Sequence, residues 1–267
     1  MKKAKFPLYS AVILGLIAVL CIMVPLFTGA AARMDFDALS LSPSASHLFG
    51  TDPLGRDLFK MIFHGGRVSL YIGFLATAFS TLIAMVYGTA AGLAGETVDS
   101  LLMRFVELLL SIPSILYVVS IQAILGNPST TSIAIVIGIT SWMNISKMIR
   151  TEVLRVRRTE YVLSARHMGG GFVYVLRKHL LPNFVPAILF MIVSNVGGAI
   201  AAEATLSFMG IGLPTTVVSW GSLMSLSQSA LLTSSWWIIL IPGIFLVSTL
   251  VCVMNIGEYY RKINTQN

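Results

Sequence analysis

Long apolar runs alternate with short polar segments along the whole chain, and six of these runs stand out. Most approach the ~20 residues that an α-helix needs to cross about 30 Å of hydrocarbon. Strands of a membrane barrel would instead show segments of about ten residues with alternating polarity, a pattern that the sequence lacks. The runs therefore predict an all-α, polytopic membrane protein with six transmembrane helices, which cover roughly 8–27, 69–94, 105–125, 133–149, 187–202 and 236–257.

Composition and charge agree with this interpretation and give it an orientation. The chain is 56% hydrophobic and 11% charged, whereas soluble domains carry roughly a quarter charged residues. With the amino terminus inside the cell, fourteen of the 18 Lys and Arg residues fall in inner segments, as the positive-inside rule requires. Both termini are therefore predicted to be cytoplasmic. The net charge of +7 indicates contact with anionic membrane lipid rather than with nucleic acid, because the cations are spread along helix ends.

The chain divides into two parts, 1–67 and 68–267. The first part holds the first apolar run, which is long for a signal peptide and is interpreted as a retained transmembrane helix. An outer loop follows, and the turn-forming stretch TDPLGRD leads into a predicted short interfacial helix. On this helix, Phe59, Ile62 and Phe63 are expected to face the bilayer surface, with Arg56, Lys60 and Arg67 in water.

Three charged residues lie within or near the apolar runs and are candidates for a translocation path or gate. Arg104 and Glu107 are spaced i,i+3, so they can pair on one helix face, either as a structural clasp or as part of a gate. Glu203 is an isolated acid that either lines a path or hydrogen-bonds a neighbouring helix. After it, 207–235 is apolar but interrupted by Gly and Pro, which predicts an outer loop or re-entrant turn.

A basic insertion, TEYVLSARHMGGGFVYVLRKHLLP at 159–182, separates the fourth and fifth runs. Its sequence predicts a helix over 160–168 that ends at Gly169, and a second short helix over 172–180 that stops before Pro182. A basic surface beside the membrane either contacts lipid headgroups or binds a cytoplasmic protein. On the second interpretation, the expected docking side chains are Tyr161, Val162, Ala165 and Met168.

Four blocks in order carry a family resemblance: LFGTDPLGRDLF, VDSLLMRFVELLLSIPS, EYVLSARHMGG followed by HLLPN, and EATLSFMGIG followed by SWGSLM. Together they resemble the C-type inner-membrane permease subunit of ABC importers of the oligopeptide, dipeptide and nickel family. The resemblance covers nearly the whole chain. It implies the type I importer permease fold, with a cytoplasmic coupling helix in an EAA-like loop at about 150–185. It also implies a multi-pass protein in the cytoplasmic membrane of a bacterium or archaeon.

The resemblance also implies partners and a division of labour. A homologous second permease, two ATPase subunits and an extracytoplasmic substrate-binding protein are expected, and ATP with Mg would be bound by the ATPases. The chain has no GxxxxGK[ST] phosphate loop and no HExxH arrangement, so no catalytic role, cofactor or metal site is expected of it. Where the family usually has Glu-Ala-Ala, this chain has Leu163-Ser164-Ala165. The residues assigned to ATPase coupling are Glu160, Tyr161, Leu163, Ser164, Ala165, Gly169 and Pro182.

Two questions stay open at the level of the sequence. Peptide and nickel importers share these motifs, so the expected cargo is either small peptides, or nickel or a metal chelate. The alternative function is a self-sufficient secondary transporter or channel that uses Glu107 and Glu203 for ion coupling. Such transporters often contain inverted repeats, and none is convincing here.

Overall fold

The computed structural model describes residues 5–29, 31, 33–126, 128–169, 171, 174, 178, 181–226 and 235–266. In this part of the chain the regular structure is helical, apart from one isolated bridge between Thr51 and Asp57. The helices in chain order are α1 (Leu8–Phe27), α2 (Leu58–Leu93), α3 (Glu96–Leu110), α4 (Ser114–Leu125), α5 (Thr130–Val156), α6 (Glu160–His167), α7 (Leu181–Phe208), α8 (Trp220–Ser225) and α9 (Trp236–Gln266).

Five of these helices are long and apolar enough to cross a membrane: α1, α2, α5, most of α7 and most of α9. The remaining predicted span, the third (105–125), is not one straight helix. It is broken into α3 and α4, which bend by 82° relative to each other. The break lies at Ser111–Pro113, where proline has no amide hydrogen to donate and its ring clashes with the preceding turn.

The bent pair still makes one membrane crossing, because α2 and α5 run parallel. Tyr71 is next to Thr131 at one end of these helices, and Arg157 donates to the carbonyl of Gly92 at the other. Two consecutive parallel spans need a crossing between them, and α3 with α4 occupies that stretch. The predicted six-span architecture is therefore confirmed, with a sharp break in the third span.

The two chain termini lie on the same side of the bundle. Phe6 meets Tyr259 edge-on with ring centroids 5.1 Å apart, and Asn255 donates to Ser10 at 3.1 Å. At the other end of α1, Thr28 lies 3.4 Å from His64, near the start of α2. This places the termini at the α6 end of the bundle, as the predicted orientation requires.

The separate interfacial helix was a wrong prediction. The structure continues one helix from Leu58 to Leu93, with Asp57 accepting from the backbone of Lys60 as its N-cap. Ile62 and Phe63 are buried in a cluster with residues of α1, α8 and α9 rather than facing the bilayer surface. The division between 1–67 and 68–267 falls inside this helix.

The outer connection between α7 and α9 contains the short helix α8, which Ser219 caps by accepting from the backbone of Ser222. Trp220 is fully buried and donates its indole N–H to the carbonyl of Ile62 at 3.0 Å. Residues 209–226, the described part of this connection before 235, therefore fold back into the outer end of the bundle, as a re-entrant turn would.

Candidate coupling and gating sites

Helix α6 follows the inner end of α5 after a link of three residues, 157–159. The link is tight, because Thr159 bonds back to the carbonyl of Val156 and Val162 donates to the carbonyl of Thr159. At its far end the helix stops as predicted. Gly169 has φ +83°, a left-handed conformation that favours glycine, and no atom lies within 4 Å of where its Cβ would be.

The faces of α6 differ from the sequence prediction. Val162 and Ala165 were expected to be docking groups, but they are 0% and 5% exposed. Val162 packs in a cluster with Val153 and Val156 of α5 and Ile188 of α7, because the helix lies against its own bundle. The described side chains that point away from the bundle are those of Glu160, Ser164, His167 and Met168.

Other coupling residues lie partly outside the description. The structure gives Tyr161 and Leu163 helical backbone, but their side chains are outside the described set. Pro182 is the second residue of α7, a position where proline costs a helix little. Most of the predicted helix over 172–180 is outside the described residues.

The inner ends of α3 and α5 carry opposite charges that meet across the helices. Arg150 donates from Nε and Nη2 to the two carboxylate oxygens of Asp99, at 2.5 and 2.6 Å. Lys147 lies 3.5 Å from Glu107. The predicted pairing of Arg104 with Glu107 is therefore wrong, because Glu107 reaches across to α5. Arg104 lines a polar cavity of about 420 Å³ with both pairs.

Glu203 is fully buried, and its carboxylate accepts three hydroxyl hydrogen bonds from separate segments. Ser69 of α2, Ser207 of α7 and Ser219 before α8 donate at 3.0, 2.8 and 2.6 Å. The oxygen of each serine in turn accepts a backbone N–H, from Trp220, Leu213 and Ser222 respectively. This geometry supports the hydrogen-bonding alternative for Glu203 over the path-lining one.

A second cavity, of about 610 Å³, opens at the outer end of α2. Apolar side chains make up much of its wall, and its polar groups include His64, Arg67, Tyr71, Thr130 and Thr216.

Sequence reasoning did not find several residues of these sites. Asp99, Lys147 and Arg150 are ordinary charges near helix ends, and Ser69, Ser207 and Ser219 are ordinary small residues. The one available signal was that Asp99 and Arg150 flank the same predicted membrane surface with opposite charges. Which helices are neighbours was not visible in the spacing.

Comparisons with known proteins agree with this architecture. Residues 80–262 match the family described as the binding-protein-dependent transport system inner membrane component. The dipeptide transport system permease protein DppC of Bacillus subtilis (strain 168) is 33% identical over 97% of this chain and 81% of its own length. The oligopeptide transport system permease protein OppC of the same strain is 33% identical over 96% of this chain and 84% of its length.

A solved structure described as an amino acid ABC transporter with histidines superposes with a TM-score of 0.52 at 15% identity, and covers 78% of this chain and 94% of that one. At this identity the likeness shows the fold alone. The family match and the two permease relatives decide against a self-sufficient secondary transporter or channel. The chain belongs to the binding-protein-dependent transport system inner membrane component family, and it is a multi-pass, membrane-spanning permease subunit of an ABC importer.

Proposed function

We propose that this chain forms one half of the membrane path for small peptides. We further propose that ATPase subunits bind α6 and drive the conformational change of the chain. The observation that carries the proposal is the geometry of α6. It is a short helix at the inner end of α5, held against the bundle by Val162 on one face and exposed at Ser164 and His167 on the other.

The partners in this proposal are a homologous second permease, two ATPase subunits and an extracytoplasmic binding protein. Six spans with a broken third helix enclose little space alone, which supports a second permease. ATP and Mg are bound by the ATPase subunits, and this chain has no catalytic role. Closure of the two ATPases displaces α6, and the helices joined to it reorient so that the path opens alternately to either side.

Contact with the ATPase is proposed to depend on shape and on the exposed groups of α6. Leu163 stands where the family usually has the acid, so a salt bridge from that position is not available. Glu160, at the start of the same helix, is exposed and supplies a carboxylate nearby. Its position in the first turn is also one where a negative charge is favourable to the helix.

The proposed cargo is a small peptide rather than nickel, because the named relatives with high coverage are dipeptide and oligopeptide permease proteins. Selectivity would reside mostly in the binding protein, so the chain itself needs only a path of suitable size.

The test is reconstitution of the complete complex in proteoliposomes with its binding protein. Uptake of a labelled dipeptide is expected to require ATP, and excess Ni²⁺ is expected not to compete. Uptake of nickel without uptake of peptide would contradict the cargo. Uptake that persists without ATP while a membrane potential is maintained would contradict the ATP-driven mechanism.

The contact with the ATPase is tested separately. A bulky maleimide attached to Ser164→Cys is expected to abolish transport and substrate-stimulated ATP hydrolysis. The matched control is Thr97→Cys, an exposed position at the start of α3 on the same membrane side. Equal effects at both positions would show that the label acts generally rather than at α6.

A further inference from the structure

The inner end of the third span is tied to α5 by two ion pairs of unequal quality. Asp99 and Arg150 form a bidentate pair whose side chains are only 13% and 28% exposed. Glu107 and Lys147 are 61% and 43% exposed, and they meet at 3.5 Å. Two parallel N–H···O bonds fix both distance and angle, whereas a single exposed contact between flexible chains fixes neither.

Helix α5 is in turn packed rigidly on α2. A Cβ on Gly88 would lie 2.6 Å from the carbonyl oxygen of Ser146, and one on Gly92 would lie 2.7 Å from Cγ1 of Val153. These distances show that α2 and α5 approach closely at positions where only glycine leaves room. Arg157, one residue past α5, adds hydrogen bonds to the carbonyls of Gly92 and Ala94 at the end of α2.

The coupling helix belongs to the same unit. Only residues 157–159 separate it from α5, and Val162 packs in the cluster that contains Met103 and Val106 of α3. Asp99 and Arg150 lie beside this cluster. Their ion pair therefore joins the polar edge of α3 to α5, the helix that precedes α6.

The third span bends immediately beyond these contacts. Between α3 and α4 the chain turns by 82° at Ser111–Pro113, and Ile112 is 45% exposed. Farther along, Val118 of α4 packs in a cluster with Val136 and Ile137 of α5. Both halves of the third span therefore contact α5, α3 through the Asp99–Arg150 pair and α4 through Val118.

We propose that the Asp99–Arg150 pair is the positioning contact that makes α3 move with α5 and α6 when ATP-driven closure displaces the coupling helix. Neither residue touches the cargo in this scheme. Their role is to transmit motion, and it rests on the proposed function of α6 as the ATPase contact.

The first test measures the number of ATP molecules hydrolysed per peptide transported by the complete complex in proteoliposomes. Asp99→Asn and Arg150→Gln are each expected to raise this ratio at least about fivefold, the lower end of typical coupling effects. The double variant is expected to be no worse than the worse single variant, because both changes remove one contact. Arg150→Lys, which keeps the charge without the bidentate geometry, is expected to fall between wild type and Arg150→Gln.

The matched control is Lys147→Gln, which removes the exposed pair between the same two helices and is expected to leave the ratio within about twofold of wild type. A wild-type ratio in both Asp99→Asn and Arg150→Gln would overturn the proposal. So would multiplicative effects in the double variant. If the wild-type complex does not transport peptide at all, the proposed cargo fails instead, which is a distinguishable result.

A second measurement follows the motion directly and does not depend on turnover. Spin labels at Thr97→Cys on α3 and at Arg158→Cys, an exposed position in the link between α5 and α6, report the distance between α3 and this link by pulsed EPR. In the wild-type background the distance is expected to be the same in the nucleotide-free and the ATP-trapped complex, because α3, α5 and α6 move together. With Asp99→Asn it is expected to change or broaden on ATP binding. A change of equal size in the wild-type background, or an Asp99→Asn complex that no longer assembles, would assign the pair to structure alone.

Discussion

Glu203 shows how a single buried acid can organise the outer end of this subunit. Its two oxygens accept from serines on α2, on its own helix α7 and before α8, so one carboxylate joins α7 to the distant α2 and to the start of α8. A buried carboxylate is costly unless its oxygens are satisfied, and here three hydroxyl donors satisfy them. The isolation of Glu203 was visible in the sequence. Its partners were not, because serine spacing does not indicate which helices meet.

Replacing Glu203 with Ala is expected to destabilise the purified subunit by about 3 kcal/mol, because three serine hydroxyls lose their common acceptor. Glu203→Gln keeps one carbonyl oxygen and is expected to cost less. Thermal unfolding in detergent measures both effects, and Glu107→Ala, at a mostly exposed acid, is the control. Transport per assembled complex is expected to be normal. Full stability combined with defective transport would instead assign Glu203 to the path.

Gly221 occupies a position where a side chain has no room. A Cβ there would lie 2.5 Å from the Cα of Ala204, a backbone atom that cannot swing away as a side chain could. Gly221→Ala is therefore expected to lower the stability of the subunit by about 1–3 kcal/mol through overpacking. The control is Gly243→Ala, where the nearest atom is Sδ of Met224 at 3.8 Å. Equal melting temperatures for the two variants would refute the tight packing of α8 on α7.

At the scale of elements, the hydrophobic runs located the membrane helices well but did not predict accurately where each helix begins and ends. The run at 8–27 matches α1, whereas α2 begins eleven residues before its predicted start at 69. Gly65 and Gly66 lie between the predicted interfacial helix and the predicted start of the second span. In the structure they are contact points, since a Cβ at Gly66 would meet Sγ of Cys21 at 2.4 Å and the ring of Trp220 at 2.6 Å. Glycine for close packing and glycine for a break look the same in a sequence.

The third span shows the same limitation for proline. Pro113 permits a bend because proline cannot donate a helical hydrogen bond. The angle of the bend is set by what α3 and α4 pack against, and those contacts lie on other helices. For α6 the local signal was sufficient, because the helix and its glycine stop lie within ten residues. Its buried face was predicted incorrectly. Whether the apolar face of α6 packs on its own bundle or on a partner protein depends on tertiary contacts, which local sequence does not show.

Gly169 is the element-scale position where a substitution is expected to affect function more than folding. Its φ of +83° makes a β-branched residue strained, and its surroundings are open, so space is not the constraint. Gly169→Val is expected to reorient α6 and to uncouple ATP hydrolysis from transport. Gly169→Asn, which tolerates the left-handed region, is the control and is expected to retain most coupling. Wild-type coupling in the valine variant would show that the turn does not position α6.

At the scale of the whole molecule, orientation in the membrane is a prediction that follows from a count of charges rather than from contacts. The structure adds an independent argument. The parallel run of α2 and α5, with α3 and α4 crossing between them, fixes the relative sides of every later segment. The termini then meet at the end of the bundle that carries α6. Charge distribution and helix packing thus give the same topology from different physics.

This topology predicts the accessibility of cysteines to a membrane-impermeant maleimide. Ser164→Cys on α6 is expected to react only in inverted vesicles, and Ser42→Cys in the first outer loop only in right-side-out vesicles, because both positions are exposed on opposite faces. The native Cys21 and Cys252 are buried, so the background from them is expected to be low. Labelling of Ser164→Cys from outside the cell would reverse the bundle in the membrane. It would also rule out the proposed ATPase contact at α6, because an ATPase subunit that hydrolyses cytoplasmic ATP can bind only to the inner face.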